Sequence, residues 1–112
     1  MRGGSREKSC YVEFEGTQVC IDPFLPGLRV LGLKYSAQIL ILLGKDIGIR
    51  NFNEISRDIP EAGRVLLASR LRDLEKQGLI ERRAEGGHIQ YSLTEKGGRL
   101  VREALIRLIM VL

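Results

Sequence analysis

Apolar and polar positions change period along this chain, and each change marks an element. Residues 10 to 22, CYVEFEGTQVCID, alternate every second position around Glu15-Gly16, the pattern of a hairpin with a two-residue turn. In the register such a turn imposes, Phe14 faces Thr17, Val12 faces Val19 and Cys10 faces Ile21 on one side. Cys20 then sits opposite Tyr11 on the other side, and because side chains alternate faces along a strand, the two cysteines point apart. That argues against an intrachain disulfide. DPFLPG follows, where Pro23, Pro26 and Gly27 read as a break. The run LRVLGLKYSAQILILLGK has the length and apolar content of a helix, split near Gly32 to Lys34 and ended by Gly44. DIGIR reads as a short connector.

From residue 51 the period is helical. NFNEISRD, residues 51 to 58, sets Phe52 and Ile55 on one side of a short amphipathic helix, and IPEAG reads as a turn. In RVLLASRLRDLEKQGLIERR, Leu67, Leu71 and Leu74 form one narrow stripe. The opposite side holds Val65, Ala68, Ser69, Arg72 and Lys76, with Arg64 at the start and Arg70 on a flank. Gly78 stops this helix. LIERRAEGGHIQYSL is a second hairpin around Gly86-Gly87, a pair suited to a type I′ turn. Its register pairs Ala84 with Ile89, Arg82 with Tyr91 and Ile80 with Leu93 on the face expected to pack. Glu85 with His88, Arg83 with Gln90 and Glu81 with Ser92 form the wet face. A last helix opens at Thr94, a suitable N-cap, with Gly97 and Gly98 lowering its helicity. Leu100, Val101, Ala104, Leu105, Leu108, Ile109 and Leu112 give it a broad apolar face that needs a partner surface.

Composition narrows the class. A length of 112 residues is one domain. The expected division is a flexible segment over 1–9 and a single domain over 10–112. That domain comprises a hairpin (10–22), a helix-turn-helix and wing (28–93) and a C-terminal helix (94–112). Eighteen Lys and Arg against fourteen Asp and Glu give +4, a mild excess that favours anionic partners. The longest apolar run, Ile39 to Leu43, is far too short to span a bilayer. No apolar segment follows the basic start, so the expected compartment is the cytoplasm. Two cysteines and one histidine are too few ligands for a Cys/His metal site. No catalytic constellation and no phosphate loop is visible, so neither an enzyme nor a cofactor is expected.

The element order is hairpin, helices, two-stranded wing and helix. A tight turn joining the second and third helices makes a helix-turn-helix. Such a helix enters the major groove, and its free face must carry donors and small residues. Arg64, Val65, Ala68, Ser69, Arg72 and Lys76 are the candidate contacts on the helix, and Arg83, His88 and Gln90 those on the wing. Arg82 is expected to lay its stem against Tyr91 rather than meet DNA.

The stretch LGLKYSAQILILLGKDIGIRNFNEISRDIPEAGRVLLASRLRDLEKQGLIERR, followed by YSLTEKG, resembles the HxlR family of winged-helix transcriptional regulators. A looser similarity extends to MarR-type regulators. LGLKY sits where the HxlR family has a Gly-Lys-Trp motif, NFNEI where it has Arg-Phe-Asn-Glu-Leu, and LRDLEKQGLIERR at its recognition-helix end and first wing strand. The resemblance covers roughly residues 30 to 100. It departs at Gly63, where the family has a serine cap, at Ala68, where it often has threonine, and at the short wing tip AEGG. Some members sense oxidants through a cysteine near the N-terminus, and Cys20 is the nearest match.

The chain is therefore expected to be mainly α with small β. It would form a winged helix-turn-helix with an N-terminal β-hairpin and a C-terminal dimerisation helix. Its expected function is that of a homodimeric, sequence-specific transcriptional regulator that binds double-stranded DNA, with no membrane partner. The alternatives are a winged-helix protein-interaction module and a thiol-sensing regulator acting through Cys20, with any small-molecule or redox effector left open.

Overall fold

The computed structural model describes residues 11–45 and 49–112. Glu15 and Gly16 both take positive φ, 49° and 85°, the backbone that a type I′ turn requires. β1 (Tyr11–Phe14) and β2 (Thr17–Cys20) thus pair with Phe14 opposite Thr17 and Tyr11 opposite Cys20, as the alternation predicts.

DPFLPG is not a break. A 3-10 turn (Asp22–Phe24) runs into α1 (Leu25–Gly32). Pro26 lies in the first turn of that helix, where its missing N–H has no intrahelical partner to lose. The expected split after Gly32 is present, and Tyr35 takes a left-handed φ of 73° before α2 (Ser36–Leu43). The buried Ser36 closes this corner by donating its hydroxyl to the Val30 carbonyl, 2.6 Å away.

Residues 46–48 lie outside the described residues, and with them part of DIGIR. The rest of DIGIR is not merely a connector. β3 (Ile49–Asn51) pairs antiparallel with the second wing strand, giving a three-stranded sheet in which that wing strand is central. Three residues are too few to display a period, and their pairing partner is remote in sequence.

Asn51 also caps α3 (Phe52–Asp58). Its side chain accepts from the Glu54 N–H while the Glu54 carboxylate accepts from the Asn51 N–H, both at 2.8 Å. This reciprocal box satisfies two of the donors orphaned at a helix start. Asn51→Ala is expected to lower stability by about 1 kcal/mol, and Asn51→Gly by only a few tenths. Urea unfolding checks this, and an unchanged midpoint for Asn51→Ala would contradict it.

After a 3-10 turn (Pro60–Ala62), α4 (Arg64–Lys76) leads into the wing strands β4 (Ile80–Glu85) and β5 (His88–Leu93). The wing register is the expected one, with Gly86 and Gly87 both at positive φ. α5 (Glu95–Leu100) continues through a π-helical turn (Val101–Leu105) into α6 (Ile106–Val111).

The core lies where these elements meet. It holds Ile39, Leu40 and Leu43 of α2, Ile55 of α3, the leucine stripe of α4, and Leu79 and Ile80 at the wing root. Val101 and Leu105 of the last helix close it. Burying side chains of this size contributes about 1.5–3 kcal/mol each, so the core fixes the angle of α4 and the wing together.

Candidate nucleic-acid interface

The start of α4 is set by backbone geometry. Gly63 takes φ 74° and ψ 155°, a region essentially confined to glycine. A serine at this position would be strained, so Gly63 is more than a lost hydroxyl. The helix accordingly begins without a side-chain cap. Arg64 follows at once and is anchored to the preceding helix. Its guanidinium lies 4.7 Å from the Phe52 ring centroid and donates to the Asn53 side chain at 3.3 Å.

α4 is sharply two-sided. Leu67, Leu71 and Leu74 are buried, with at most 1% of their surface exposed. Arg64, Val65, Arg72 and Lys76 are exposed, and Ala68 and Ser69 are half-buried between them. Val65, Ser69, Arg72 and Lys76 recur at helical spacing, so they form one stripe away from the core. Val65, 86% exposed, is the large apolar residue on that stripe. Arg72 and Lys76 carry no hydrogen bond or ion pair among the described residues.

Arg70 is held differently. Its Nε donates to the Lys34 carbonyl at 2.9 Å, and Nη1 pairs with Asp73 at 3.0 Å. With its side chain only 11% exposed, Arg70 staples α4 to the corner between α1 and α2.

Gly78, at φ 74°, turns the chain from α4 into β4. On the wing, Arg83, His88 and Gln90 are exposed and lie on one sheet face, since Arg83 pairs with Gln90 and Glu85 with His88. Arg83 also meets Glu81 at 3.2 Å. An exposed pair of this kind contributes about 0–1 kcal/mol, so it yields readily to a phosphate. The opposite face packs at the wing root through Ile80, Tyr91 and Leu93, while Ala84 and Ile89 nearer the tip stay exposed.

Sequence reasoning passed over Arg50 on β3. The register aligns Arg50, Tyr91 and Arg82 in one row across the three strands. Arg50 Nε is buried and has no hydrogen-bond partner among the described residues. Only recognition of the third strand would have found this row.

The residues expected to form a dimer surface divide. Val101 and Leu105 are buried in the protomer's own core, and Leu100 packs against it. Ala104, Leu108, Ile109 and Leu112 remain exposed. On the same helix Arg99 reaches Glu103 at 3.2 and 3.4 Å. This hydrogen bond and the charge beside it hold the Glu103 carboxyl below its usual range and the Arg99 guanidinium above it. Glu103's contribution is present above the ordinary carboxylate range and fades as pH falls through its lowered value.

Cys20 is disulfide-bonded, and its partner lies outside the described residues, as does Cys10. This corrects the expectation drawn from opposite-facing cysteines. Alternation constrains side chains only inside a ladder, and the described ladder ends at the Tyr11–Cys20 pair. Among the described residues, no cluster of His, Cys, Asp or Glu is placed to hold a metal ion, and no helix is long and apolar enough to cross a membrane.

Comparison with known proteins places this geometry. An uncharacterised HTH-type transcriptional regulator of Halalkalibacterium halodurans is 37% identical over 82 residues, covering 70% of this chain and 72% of the relative. Among solved structures, "a possible HxlR family transcriptional factor" from Thermoplasma volcanium GSS1 is 39% identical. It superposes with a TM-score of 0.77 over 90% of this chain and 91% of its own. The reduced form of the transcriptional regulator YodB from B. subtilis is 30% identical, with a TM-score of 0.66 over 76% of this chain and 82% of its own. YodB has also been solved after treatment with diamide. Such relatives are transcriptional regulators, not enzymes. Residues 30–110 match the HxlR-like helix-turn-helix family, and with the helix-turn-helix and wing in place the chain belongs to that family of DNA-binding transcriptional regulators.

Proposed function

We propose that the protein acts in the cytoplasm as a homodimeric transcriptional regulator that binds double-stranded DNA sequence-specifically. α4 enters the major groove and the wing meets the backbone or minor groove. The observation that carries this reading is the two-sidedness of α4. Its leucine stripe is locked in the core, while Val65, Ala68, Ser69, Arg72 and Lys76 face away from it. A half-buried alanine between exposed arginine and lysine lets backbone approach a groove edge, and the cations supply donors to bases and phosphates. Arg64, fixed against Phe52 and Asn53, loses little freedom on meeting a phosphate. Arg83, His88 and Gln90 extend the contact along the wing. Two protomers then address half-sites about one helical turn apart.

Contacts to phosphate release counterions, so log affinity falls linearly with log salt, by roughly 0.9 per phosphate neutralised. Lys76→Gln is expected to weaken binding uniformly across duplex sequences and to reduce the salt slope by about 1. Anisotropy titrations at several salt concentrations check this, and a loss confined to one duplex sequence would assign Lys76 to base readout instead.

The oxidised Cys20 favours a second reading, in which thiol chemistry sets DNA affinity. YodB, a relative, has been solved both reduced and after diamide, a thiol oxidant. On this reading a thiol reductant changes operator affinity and Cys20→Ser abolishes the change. If the mutant responds to reductant as the wild type does, Cys20 is not the sensor.

A further inference from the structure

The hairpin β1–β2 lies outside the residues that match the family. Two-stranded hairpins are marginally stable alone in water, and this one leaves its apolar face open. Val12, Phe14 and Val19 are 46%, 72% and 44% exposed. With Thr17 and Ile21 they line a shallow trough that has Glu15 at its rim. At the other end of the chain, α6 has no buried residue, and Leu108, Ile109 and Met110 are exposed.

We infer that the hairpin trough receives the C-terminal helix of a second copy of this chain, and does so reciprocally. Three observations select that occupant. Both surfaces are apolar, and both stand exposed among the described residues. Their charges are complementary. Residues 11–21 carry Glu13 and Glu15 with no Lys, Arg or His, whereas residues 99–112 carry Arg99, Arg102 and Arg107 against Glu103 alone. Arg102 and Arg107 are exposed and make no ion pair among the described residues.

The third observation is placement. Pro23 and Phe24, which connect the hairpin to α1, line one groove together with Glu103 and Ala104 of the C-terminal helix. The root of the hairpin therefore lies beside that helix. A two-fold axis there lets each hairpin close over the other's helix, so one contact forms twice. This inference rests on the homodimer proposed above.

The test is the dimerisation constant of the full chain, measured by sedimentation equilibrium. Phe14→Glu places a charge in the trough and is expected to raise the dissociation constant at least 100-fold. Phe14→Leu is expected to change it only a few-fold. Because Phe14 is 72% exposed, both variants should keep the wild-type circular dichroism. A photoreactive p-benzoylphenylalanine at position 14 identifies the occupant. After subunit exchange between isotopically labelled and unlabelled protein, it is expected to attach to residues 106–112 of the other isotopic species. Attachment within its own chain, or no attachment, overturns the inference. A Phe14→Glu protein that dimerises like wild type also overturns it and leaves the homodimer standing. A wild type that is monomeric at all concentrations overturns both.

Discussion

Replacing Arg72 and Arg83 together with alanine is expected to lower affinity for the operator by on the order of 100-fold or more. The two guanidinium groups occupy different devices. Arg72 lies at mid-helix on the exposed stripe of α4, and no partner among the described residues holds it. A bidentate contact from such a group to a base edge is worth about 1–3 kcal/mol of discrimination. Arg83 stands on the outer wing face beside Glu81, a pair weak enough to exchange for phosphate. Arg72→Ala alone should therefore relax sequence preference, and Arg83→Ala alone should flatten the salt dependence. Arg70→Ala makes the informative contrast. It removes the 2.9 Å bond to the Lys34 carbonyl and the Asp73 pair, so it should lower the unfolding midpoint while leaving the contact stripe in place. Anisotropy and urea unfolding on the same set of variants separate these outcomes. Unchanged affinity in the double variant means that the proposed surface is wrong.

Gly97→Ala is expected to destabilise the fold by about 3 kcal/mol, the upper part of the range for overpacking. That corresponds to a fall in Tm of roughly 12 °C or more for a chain of this size. Gly97 is buried where the last helix crosses the link between α4 and β4. A Cβ there would overlap the Leu79 carbonyl oxygen and come within 2.9 Å of its carbon. Both are backbone atoms, which no side-chain rotation can clear. The Leu79 carbonyl accepts the Thr94 N–H at 3.1 Å. Thr94 Oγ1 donates to the Gly78 carbonyl at 2.6 Å and accepts the Gly97 N–H at 3.0 Å. An alanine must push the helix off this joint and strip those bonds. Gly98→Ala differs, because its added Cβ meets only the mobile end of Arg102 at 3.0 Å. Better helix propensity offsets that contact, so its effect should stay within about 1 kcal/mol. Thermal unfolding of the two variants decides the matter, and equal midpoints would show that the close approach is not what requires Gly97.

The helix-turn-helix, the wing and both hairpin registers were legible in the sequence because local chemistry encodes them. A leucine stripe at helical spacing can bury only one side of α4. Glu15-Gly16 and Gly86-Gly87 each set a turn, and the turn sets every pair beyond it. What escaped depended on distant neighbours. β3 is recognisable only from its pairing with β5. Gly97 looks like a helix defect until the Leu79 carbonyl is placed beside it. Pro26 and Gly27 look like breakers because sequence does not reveal that they lie at a helix start. For the candidate site, the exposed stripe was readable from periodicity. The anchoring of Arg64 and the hold of Arg70 on the Lys34 carbonyl were not, since their partners Asn53, Phe52 and Lys34 lie on other elements.

The most direct test of DNA recognition is an anisotropy titration of the full chain against a pseudo-palindromic duplex obtained by genomic footprinting. A scrambled duplex of equal length serves as reference, across a range of salt. Recognition through α4 and the wing predicts two protomers per duplex and a log affinity that falls linearly with log salt. It also predicts a preference for the palindrome of at least about 1,000-fold. Equal affinity for the two duplexes, or affinity independent of salt, would contradict it.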